Sequence, residues 1–345
     1  MRPTRRTAAL AGLAMLAGCA PTVQSANLFP PGFSGARLEL EGAEPRYIAF
    51  DGAPLGLTVW PAVGGVEPWA VVAALHGMND YAEAFALAAP LWAEAGVATY
   101  AFDQRGFGRS PRRGVWAGEA LMAEDLRVFT RLLRARHPKA LLAVVGESMG
   151  GAVAISAFAS ERPPEADRLV LIAPAVWGWG DQPLLYRTTL WLGAHTIPGR
   201  SVTPPPFVTR RIRASDNIEH LRRMGRDPRM LFRTRIDAIY GLVSRMGSAR
   251  RQVGRMRAPS TLMLYGAQDQ IIPPEPSFAA AAALPPNART AYYARGFHML
   301  TRDLQGALVS RDILAFLRDP SAPLPSVAPP IPGTVQGVVR AVAGA

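Results

Sequence analysis

Residues 140–160, ALLAVVGESMGGAVAISAFAS, decide the fold. The apolar run at 140–145 is typical of a strand that is buried on both faces of a parallel sheet. Residues 146–151, G-E-S-M-G-G, follow directly and lead into a helix-like stretch. Glycines at this point let a strand and a helix pack closely around a tight turn. The pattern therefore predicts a strand, a sharp turn and a helix, with Ser148 presented on the turn as a nucleophile.

Strand-like and helix-like segments alternate on both sides of this stretch. Eight strands are predicted, at residues 47–50, 55–60, 70–75, 97–102, 140–145, 168–172, 261–265 and 291–293. Five helices are predicted, at residues 81–95, 117–136, 151–160, 276–283 and 304–317. The alternation predicts an α/β fold in which helices flank a mostly parallel eight-stranded sheet. Residues 175–256 interrupt this alternation of strands and helices. They predict a helical cap that is inserted into a core of residues 36–174 and 257–318.

A serine hydroxyl needs a base that takes its proton. His298 is the best candidate, because it follows the last predicted strand and precedes the last predicted helix, unlike the other histidines. The base needs a carboxylate that fixes its tautomer, and Asp269 follows the strand predicted at 261–265. Asp103 is a weaker candidate because it precedes the serine in the chain, and Asp303 is better explained as a helix cap.

Acyl transfer through a serine creates an oxyanion, which backbone N–H groups stabilise. Met149 follows the predicted nucleophile and supplies one such donor. The second donor is expected from the loop H-G-M-N at residues 76–79, where Met78 is the predicted residue. An ordinary tight turn is the alternative interpretation of this loop.

Five motifs together resemble the monoacylglycerol lipase and lysophospholipase branch of the serine α/β-hydrolases. They are H-G-M at residues 76–78, D-Q-R-G-F-G-R-S at 103–110, G-E-S-M-G-G at 146–151, Asp269 and His298. The resemblance implies an α/β-hydrolase fold and a catalytic triad of Ser148, Asp269 and His298, in the chain order of that fold. Met78 and Asn79 stand where the branch often has a small residue and a glycine, which affects the expected shape of the acyl pocket.

The resemblance further implies hydrolysis of a carboxylic ester of a monoacyl lipid, either a monoacylglycerol or a lysophospholipid, through an acyl-enzyme on Ser148. Such a reaction needs no metal and no organic cofactor. In this family, residues 103–110 form a structural turn. The alternatives are a short-chain carboxylesterase, an acyltransferase or another reaction on the same scaffold, and a non-catalytic lipid-binding lipoprotein.

The N-terminus reads as a targeting segment. Arginines at positions 2, 5 and 6 precede a short apolar run, and residues 16–19, L-A-G-C, end it. Residues 1–18 therefore predict a signal peptide, and L-A-G-C resembles the bacterial lipoprotein signal, with Cys19 as the lipidated residue. Residues 19–35 are expected to be a tether. The inner-membrane retention signal of bacterial lipoproteins typically has Asp after the cysteine, and this chain has Ala20 there. We therefore expect the lipid anchor to lie in the bacterial cell envelope at the outer membrane, facing the periplasm. The alternative is a plain signal peptide with a chance cysteine.

Positive charge is concentrated in the predicted cap. The chain carries a formal net charge of +12, and residues 201–257 contain fourteen arginines against four acidic residues. This segment is expected either to face anionic headgroups or a phosphate-bearing substrate, or to be a solvated, salt-bridged surface. No motif for nucleic acid accompanies the charge, so no nucleic-acid partner is expected. Residues 319–345, rich in proline and alanine, predict a flexible tail.

Overall fold

The computed structural model describes residues 20–27, 35–65, 67–203 and 212–334. The expected signal peptide, residues 1–18, and the candidate lipidation site Cys19 lie outside these ranges. Within them, no helix has both the length and the apolar character that a membrane span requires.

Nine strands form the main sheet, and two more form a small separate pair. Their bounds are β1 Arg37–Glu39, β2 Arg46–Ile48, β3 Pro54–Trp60, β4 Ala70–Leu75, β5 Val97–Phe102, β6 Leu141–Glu147, β7 Arg168–Ile172, β8 Ser201–Val202, β9 Thr234–Arg235, β10 Ser260–Gly266 and β11 Ala288–Tyr293. The main sheet has the order β1-β2-β3-β5-β4-β6-β7-β10-β11. The strands from β4 to β11 in this sheet pair in parallel, while β1, β2 and β3 are antiparallel. The edge strand β1 was not predicted, because its sequence R-L-E has no apolar run.

Helices cover both faces of the sheet. Their bounds are α1 Ala89–Glu94, α2 Glu119–Arg136, α3 Met149–Phe158, α4 Leu184–Thr196, α5 Ile218–Met224, α6 Ile236–Gln252, α7 Pro274–Ala282 and α8 Gly306–Arg318. One apolar core contains side chains of α2, α3 and α6, and a second contains Trp92 of α1 and Phe316 of α8. The helix predicted at 81–95 is in fact a 3-10 turn at Ala82–Phe85 followed by α1.

The predicted cap lies between β7 and β10, as the break in the sequence rhythm indicated. Helices α4, α5 and α6 belong to it, and so does the antiparallel pair β8–β9, which a purely helical prediction missed. Helix α6 packs on α3 of the core and on α4 of the cap. The cap therefore rests directly above the helix that begins after Ser148.

The tail prediction was wrong for residues 319–334. Ile331 is fully buried, and its N–H donates to the Thr290 hydroxyl at 3.0 Å. Tyr292 of β11 donates to the Pro329 carbonyl at 2.7 Å. A few apolar side chains hold this proline-rich segment against the sheet, although its composition suggested that it buries little.

Part of the expected tether is also docked. Val23 forms a bridge with Trp116, and the Gln24 N–H donates to the Trp116 carbonyl at 2.8 Å. The Thr22 N–H donates to Asp237 of the cap helix α6 at 3.3 Å. Residues 22–24 thus contact the core and the cap together.

Candidate active site

Ser148 lies on a strained turn between β6 and α3. Its φ of 51° and ψ of −113° place it in a backbone region that residues other than glycine rarely adopt. The turn is held in place because the Ser148 N–H donates to the Ile172 carbonyl at 2.9 Å, while the Ser148 carbonyl accepts from Ala152 and Ala175. The strain is therefore supported from the neighbouring strand β7 and from the helix itself.

The glycines around Ser148 are required by close packing. A Cβ atom on Gly150 would lie 2.2 Å from the carbonyl oxygen of Leu75, and one on Gly146 would lie 2.6 Å from the Gly150 carbonyl oxygen. Neither gap admits a side chain. The sequence pattern G-x-S-x-G at this position is thus explained by close packing within the turn, at Gly146, and by the approach of Gly150 to the end of β4.

His298 and Asp269 meet at the carboxyl ends of β11 and β10. The Nδ1 atom of His298 lies 2.8 Å from Oδ2 of Asp269. The other carboxylate oxygen, Oδ1, accepts the N–H groups of Ile271 at 2.8 Å and Ile272 at 3.0 Å, which fixes the acid in place. Burial alone would lower the pKa of His298, but the charge and hydrogen bond of Asp269 outweigh it and the pKa is raised.

Ser148 and His298 face one cavity of about 660 Å³. Within the described part of the chain, no hydrogen bond joins the Ser148 hydroxyl to His298, whose Nε2 is the nitrogen not used by Asp269. Such contacts are often long in unliganded enzymes and shorten when substrate binds. The cap supplies most of the apolar wall, through Trp177, Leu190, Ile239, Leu242, Val243 and Met246.

The two predicted oxyanion donors lie beside the serine. Met149 is the first residue of α3, where a backbone N–H has no partner within the helix. Met78 follows Gly77, and a Cβ atom added to Gly77 would lie 3.3 Å from the Cβ of Ser148. Among the described residues, neither N–H donates to a protein acceptor outside regular secondary structure. Both amides are therefore available to a ligand oxygen near Ser148.

The loop at residues 76–79 is more than an ordinary turn. His76 is fully buried, with Nδ1 2.7 Å from the Gly77 carbonyl and Nε2 accepting from the Gln104 N–H at 2.8 Å. Burial lowers the pKa of His76, so this imidazole is neutral. The sequence did not indicate this role, in which a histidine fixes the loop that carries Met78.

The two rival acids have structural partners instead. Asp103 accepts the N–H groups of Ala82 and Arg109 and pairs with the Arg109 side chain. Asp303 accepts from the Ser215 hydroxyl at 2.6 Å and from the Phe297 N–H at 2.7 Å. Asp303 lies outside α8, so its interpretation as a helix cap was wrong, and it instead ties the His298 loop to the cap.

Three charged side chains in the cavity wall were not anticipated. Arg302 donates to Asp80 at 2.6 Å and also pairs with Glu147, and all three residues are buried. Glu147 occupies the variable second position of the G-x-S-x-G motif, and Arg302 follows His298 by four positions. The residues lie far apart in the chain, and no local pattern in the sequence pairs them.

A serine on a strained strand–helix turn, a buried histidine–aspartate pair and two free amides at the carboxyl edge of a parallel sheet define a serine hydrolase of the α/β-hydrolase class. The chain belongs to the family described as Hydrolase_4, serine aminopeptidase S33, whose model matches residues 66–305. The match includes Ser148, Asp269 and His298, together with the cap.

Relatives and solved structures agree with this assignment. A monoacylglycerol lipase of Mycolicibacterium smegmatis is 27% identical over 240 residues, which are 67% of this chain and 80% of the relative. The fold is similar to that of the Paleococcus ferrophilus monoacylglycerol lipase, with a TM-score of 0.60 and 23% identity over 76% of this chain and 98% of the other. A soluble variant of the Saccharomyces cerevisiae monoglyceride lipase, solved with a substrate analogue, gives a TM-score of 0.65 at 19% identity, covering 85% of this chain and 98% of the other.

Proposed function

We propose that the protein is a serine esterase that hydrolyses monoacyl lipids, with Ser148 as nucleophile, His298 as base and Asp269 as the supporting acid. The observation that carries the proposal is the position of the strained Ser148 turn and the His298–Asp269 pair at one apolar cavity. This arrangement activates a serine where an acyl chain has room to bind.

The proposed reaction has two stages. The Ser148 oxygen attacks the ester carbonyl while Nε2 of His298 takes the hydroxyl proton, and the carbonyl oxygen accepts from the N–H groups of Met78 and Met149. Collapse of this intermediate breaks the ester bond, and the proton on His298 passes to the leaving alcohol. Water then gives a proton to His298 and attacks the acyl-enzyme. The fatty acid leaves, and Ser148 regains its proton.

The apolar cavity supports a monoacyl lipid as substrate. Its volume of about 660 Å³ lies within the range of pockets that enclose whole small molecules. The relatives described above are named as lipases of monoacylglycerol or monoglyceride. The cap contributes apolar side chains from α4 and α6 to the cavity. Monoacylglycerol is the substrate that these observations favour.

We further propose that the protein works at a lipid surface in the bacterial cell envelope, anchored through Cys19 at the outer membrane after loss of residues 1–18. Helix α4 supports this proposal, because Leu184, Leu185, Trp191 and Leu192 are each more than half exposed. Contiguous exposed apolar groups are typical of surfaces that bind a partner or a membrane. The arginine-rich segment at 201–257 would add attraction to anionic lipid, although Arg235 and Arg250 there are already paired with acids.

A fluorophosphonate probe tests the enzyme, because it reacts only with an activated serine. We expect the wild-type protein to be labelled and the Ser148→Ala variant not to be. A substrate panel then assigns the class: p-nitrophenyl esters of increasing chain length, monoacylglycerols, lysophospholipids and an aminoacyl p-nitroanilide. Activity that peaks on monoacylglycerol supports the proposal. Activity that peaks on acetate indicates a short-chain esterase, and activity on the anilide alone indicates an aminopeptidase.

A further inference from the structure

Three buried charges meet in the wall of the cavity beside Ser148. Arg302 donates from Nη1 to Oδ2 of Asp80 at 2.6 Å and from Nη2 to Oε1 of Glu147. No more than 4% of any of the three residues is exposed. Removing such charges from water costs free energy that hydrophobic side chains at the same positions would avoid. A cluster with this cost, placed beside the nucleophile, points to a contribution to the chemistry.

Each member of the cluster belongs to a different segment of the active site. Asp80 lies two residues after the oxyanion donor Met78, Glu147 immediately precedes Ser148, and Arg302 follows His298 by four positions. The two hydrogen bonds of Arg302 therefore join the oxyanion loop, the nucleophile turn and the histidine loop. A shift of any one of these three segments would break a buried, charge-assisted hydrogen bond.

The charges around His298 point to an electrostatic contribution as well. Asp269 contacts the imidazole from the end of β10, Glu147 at the end of β6 lines the same cavity as His298, and Arg302 lies on the histidine loop. After burial, which lowers the pKa of His298, Asp269 and then Glu147 raise it, and Arg302 lowers it. Burial raises the pKa of Glu147 itself, against the opposing charge of Arg302.

The neighbouring His220 of α5 does not disturb this balance. Burial, followed by the charges of Arg302 and Arg223, lowers its pKa to about 4, so it is uncharged near neutral pH. Within the described residues, the second oxygen of Glu147, Oε2, has no hydrogen-bond partner. Among these residues, the Glu147 carboxylate is therefore held through Oε1 alone, by Arg302.

We propose that Arg302 and Glu147 are positioning residues of the reaction proposed above, and that Glu147 is a second carboxylate which stabilises the imidazolium of His298. When His298 takes the Ser148 proton, a positive charge appears in a buried site. Asp269 balances it through direct contact, and Glu147 adds a second negative charge from the nucleophile strand. The positive charge of Arg302 favours the ionised form of Glu147, and its hydrogen bond fixes the orientation of the carboxylate. The proposal rests on hydrolysis at Ser148.

A second buried arginine supplies a matched control. Arg105 is held between Asp51 at 2.7 Å and Asp125 at 2.6 Å, all three nearly inaccessible to solvent. This cluster, like the one at Arg302, consists of one arginine and two carboxylates, but it lies in the turn after β5, away from the cavity lining. Loss of a buried ion pair as such therefore affects both clusters, whereas an effect on His298 is expected only from the first.

The test is the pH profile of kcat/KM on a soluble ester, measured by pH-stat on the full chain, because the acid limb reports His298 in the free enzyme. Glu147→Gln removes a negative charge near His298, so the midpoint of the acid limb should move to lower pH by about half to one pH unit. It should also lower kcat by up to about tenfold, since one unit corresponds to tenfold in imidazolium stability. Arg302→Lys keeps the positive charge but loses the planar guanidinium that donates to both carboxylates. We therefore expect kcat to fall while the midpoint of the acid limb stays in place. Asp80→Asn should move the limb less than Glu147→Gln.

Arg105→Lys should lower the melting temperature without moving the limb. The proposal is overturned if wild type is labelled and active while the limb of Glu147→Gln superposes on the wild-type limb, or if Arg105→Lys moves it equally. A wild-type protein that takes no probe and cleaves no ester would instead refute hydrolysis at Ser148, so the two failures are distinguishable.

Discussion

Nδ1 of His298 lies 2.8 Å from Oδ2 of Asp269, although 29 positions separate the two residues in the chain. The contact exists because β10 and β11 run parallel and in register, with Gly266 opposite Tyr293, so the loops after them leave the sheet at one edge. The geometry fixes the imidazole with its other nitrogen, Nε2, free to face the cavity.

Asp269→Asn should abolish most of this orientation. An amide cannot balance the imidazolium, and it allows the wrong tautomer, so we expect kcat to fall about 10⁴-fold with little change in fold. The measurement is steady-state hydrolysis of a p-nitrophenyl ester beside a thermal melt. Asp303→Asn is the control, because Asp303 bonds Ser215 and Phe297 rather than the imidazole. A larger loss in the control than in Asp269→Asn would contradict the assignment.

Activity should decline on the acid side with a midpoint above the ordinary histidine pKa of about 6.5. The pKa of His298 is raised, because the charge and hydrogen bond of Asp269 outweigh the effect of burial. Below that pKa the imidazole already carries a proton and cannot accept another from Ser148. A kcat/KM profile across roughly pH 5 to 9 measures the midpoint. A midpoint clearly below about 6.5 would show that His298 is not stabilised as an imidazolium.

Gly150→Ala should disrupt the nucleophile turn. The new methyl group would lie 2.2 Å from the Leu75 carbonyl oxygen, so strand and helix must separate. We expect a loss of about 1–3 kcal/mol in the free energy of unfolding, together with loss of probe labelling. Gly180→Ala is the matched control, because no atom lies within 4 Å of its added Cβ. Equal effects of the two substitutions would argue against the packing explanation.

The exposed face of α4 should contribute to membrane binding. Replacing Leu184 and Leu185 by Gln removes two apolar side chains that are 70% and 68% exposed. If each inserts, vesicle affinity falls roughly tenfold per leucine, because burial of such a side chain contributes at least about 1.5 kcal/mol. Co-sedimentation with phosphatidylglycerol vesicles measures this on protein without the acyl anchor, beside hydrolysis of a soluble ester, which should be unchanged.

Val63→Gln is the control for this measurement. Val63 is 61% exposed, but it lies in the loop between β3 and β4, at the opposite edge of the sheet from Ser148. Its replacement should leave vesicle binding unaltered. Equal binding of wild type and the α4 variant would refute the membrane-facing orientation of the cap.

The docked C-terminal segment should contribute to stability. Ile331 is fully buried, so Ile331→Ala removes packed methyl groups and leaves a cavity. We expect a loss of about 2–5 kcal/mol, seen as a lower midpoint in urea. Val327→Ala changes a residue of the same segment that is 80% exposed, and it should have little effect. If Ile331→Ala unfolds at the same urea midpoint as wild type, the segment does not stabilise the fold.

The central site was predictable because its signals are local. One strand–turn–helix pattern predicts Ser148, and His298 and Asp269 are predicted because each follows a strand whose carboxyl end lies at the same end of the sheet. Their joint action in catalysis stays a prediction, which the substitutions above test. The sequence could place them without any knowledge of side-chain contacts.

Contacts between distant segments were not predictable. Arg302 is 222 positions from Asp80 and 155 from Glu147. The chain contains many arginines, and nothing in the local sequence of Arg302 indicates which carboxylates it pairs with. The prediction of a flexible tail was wrong for residues 319–334 for a related reason. The overall proline-rich composition of this segment does not reveal the few side chains that anchor it. Strand β1 forms through pairing with β2 rather than through its own apolar pattern.

The hydrogen bond from Thr22 to Asp237 fixes the chain to the cap at a point only three residues after Cys19. If Cys19 carries the lipid anchor proposed above, the three positions between it and Thr22 span at most roughly 11 Å, because an extended chain covers at most about 3.6 Å per residue. Under that proposal, the enzyme would have little freedom to move away from the membrane leaflet. Substrate diffusing laterally in that leaflet would then reach the cap without crossing bulk water.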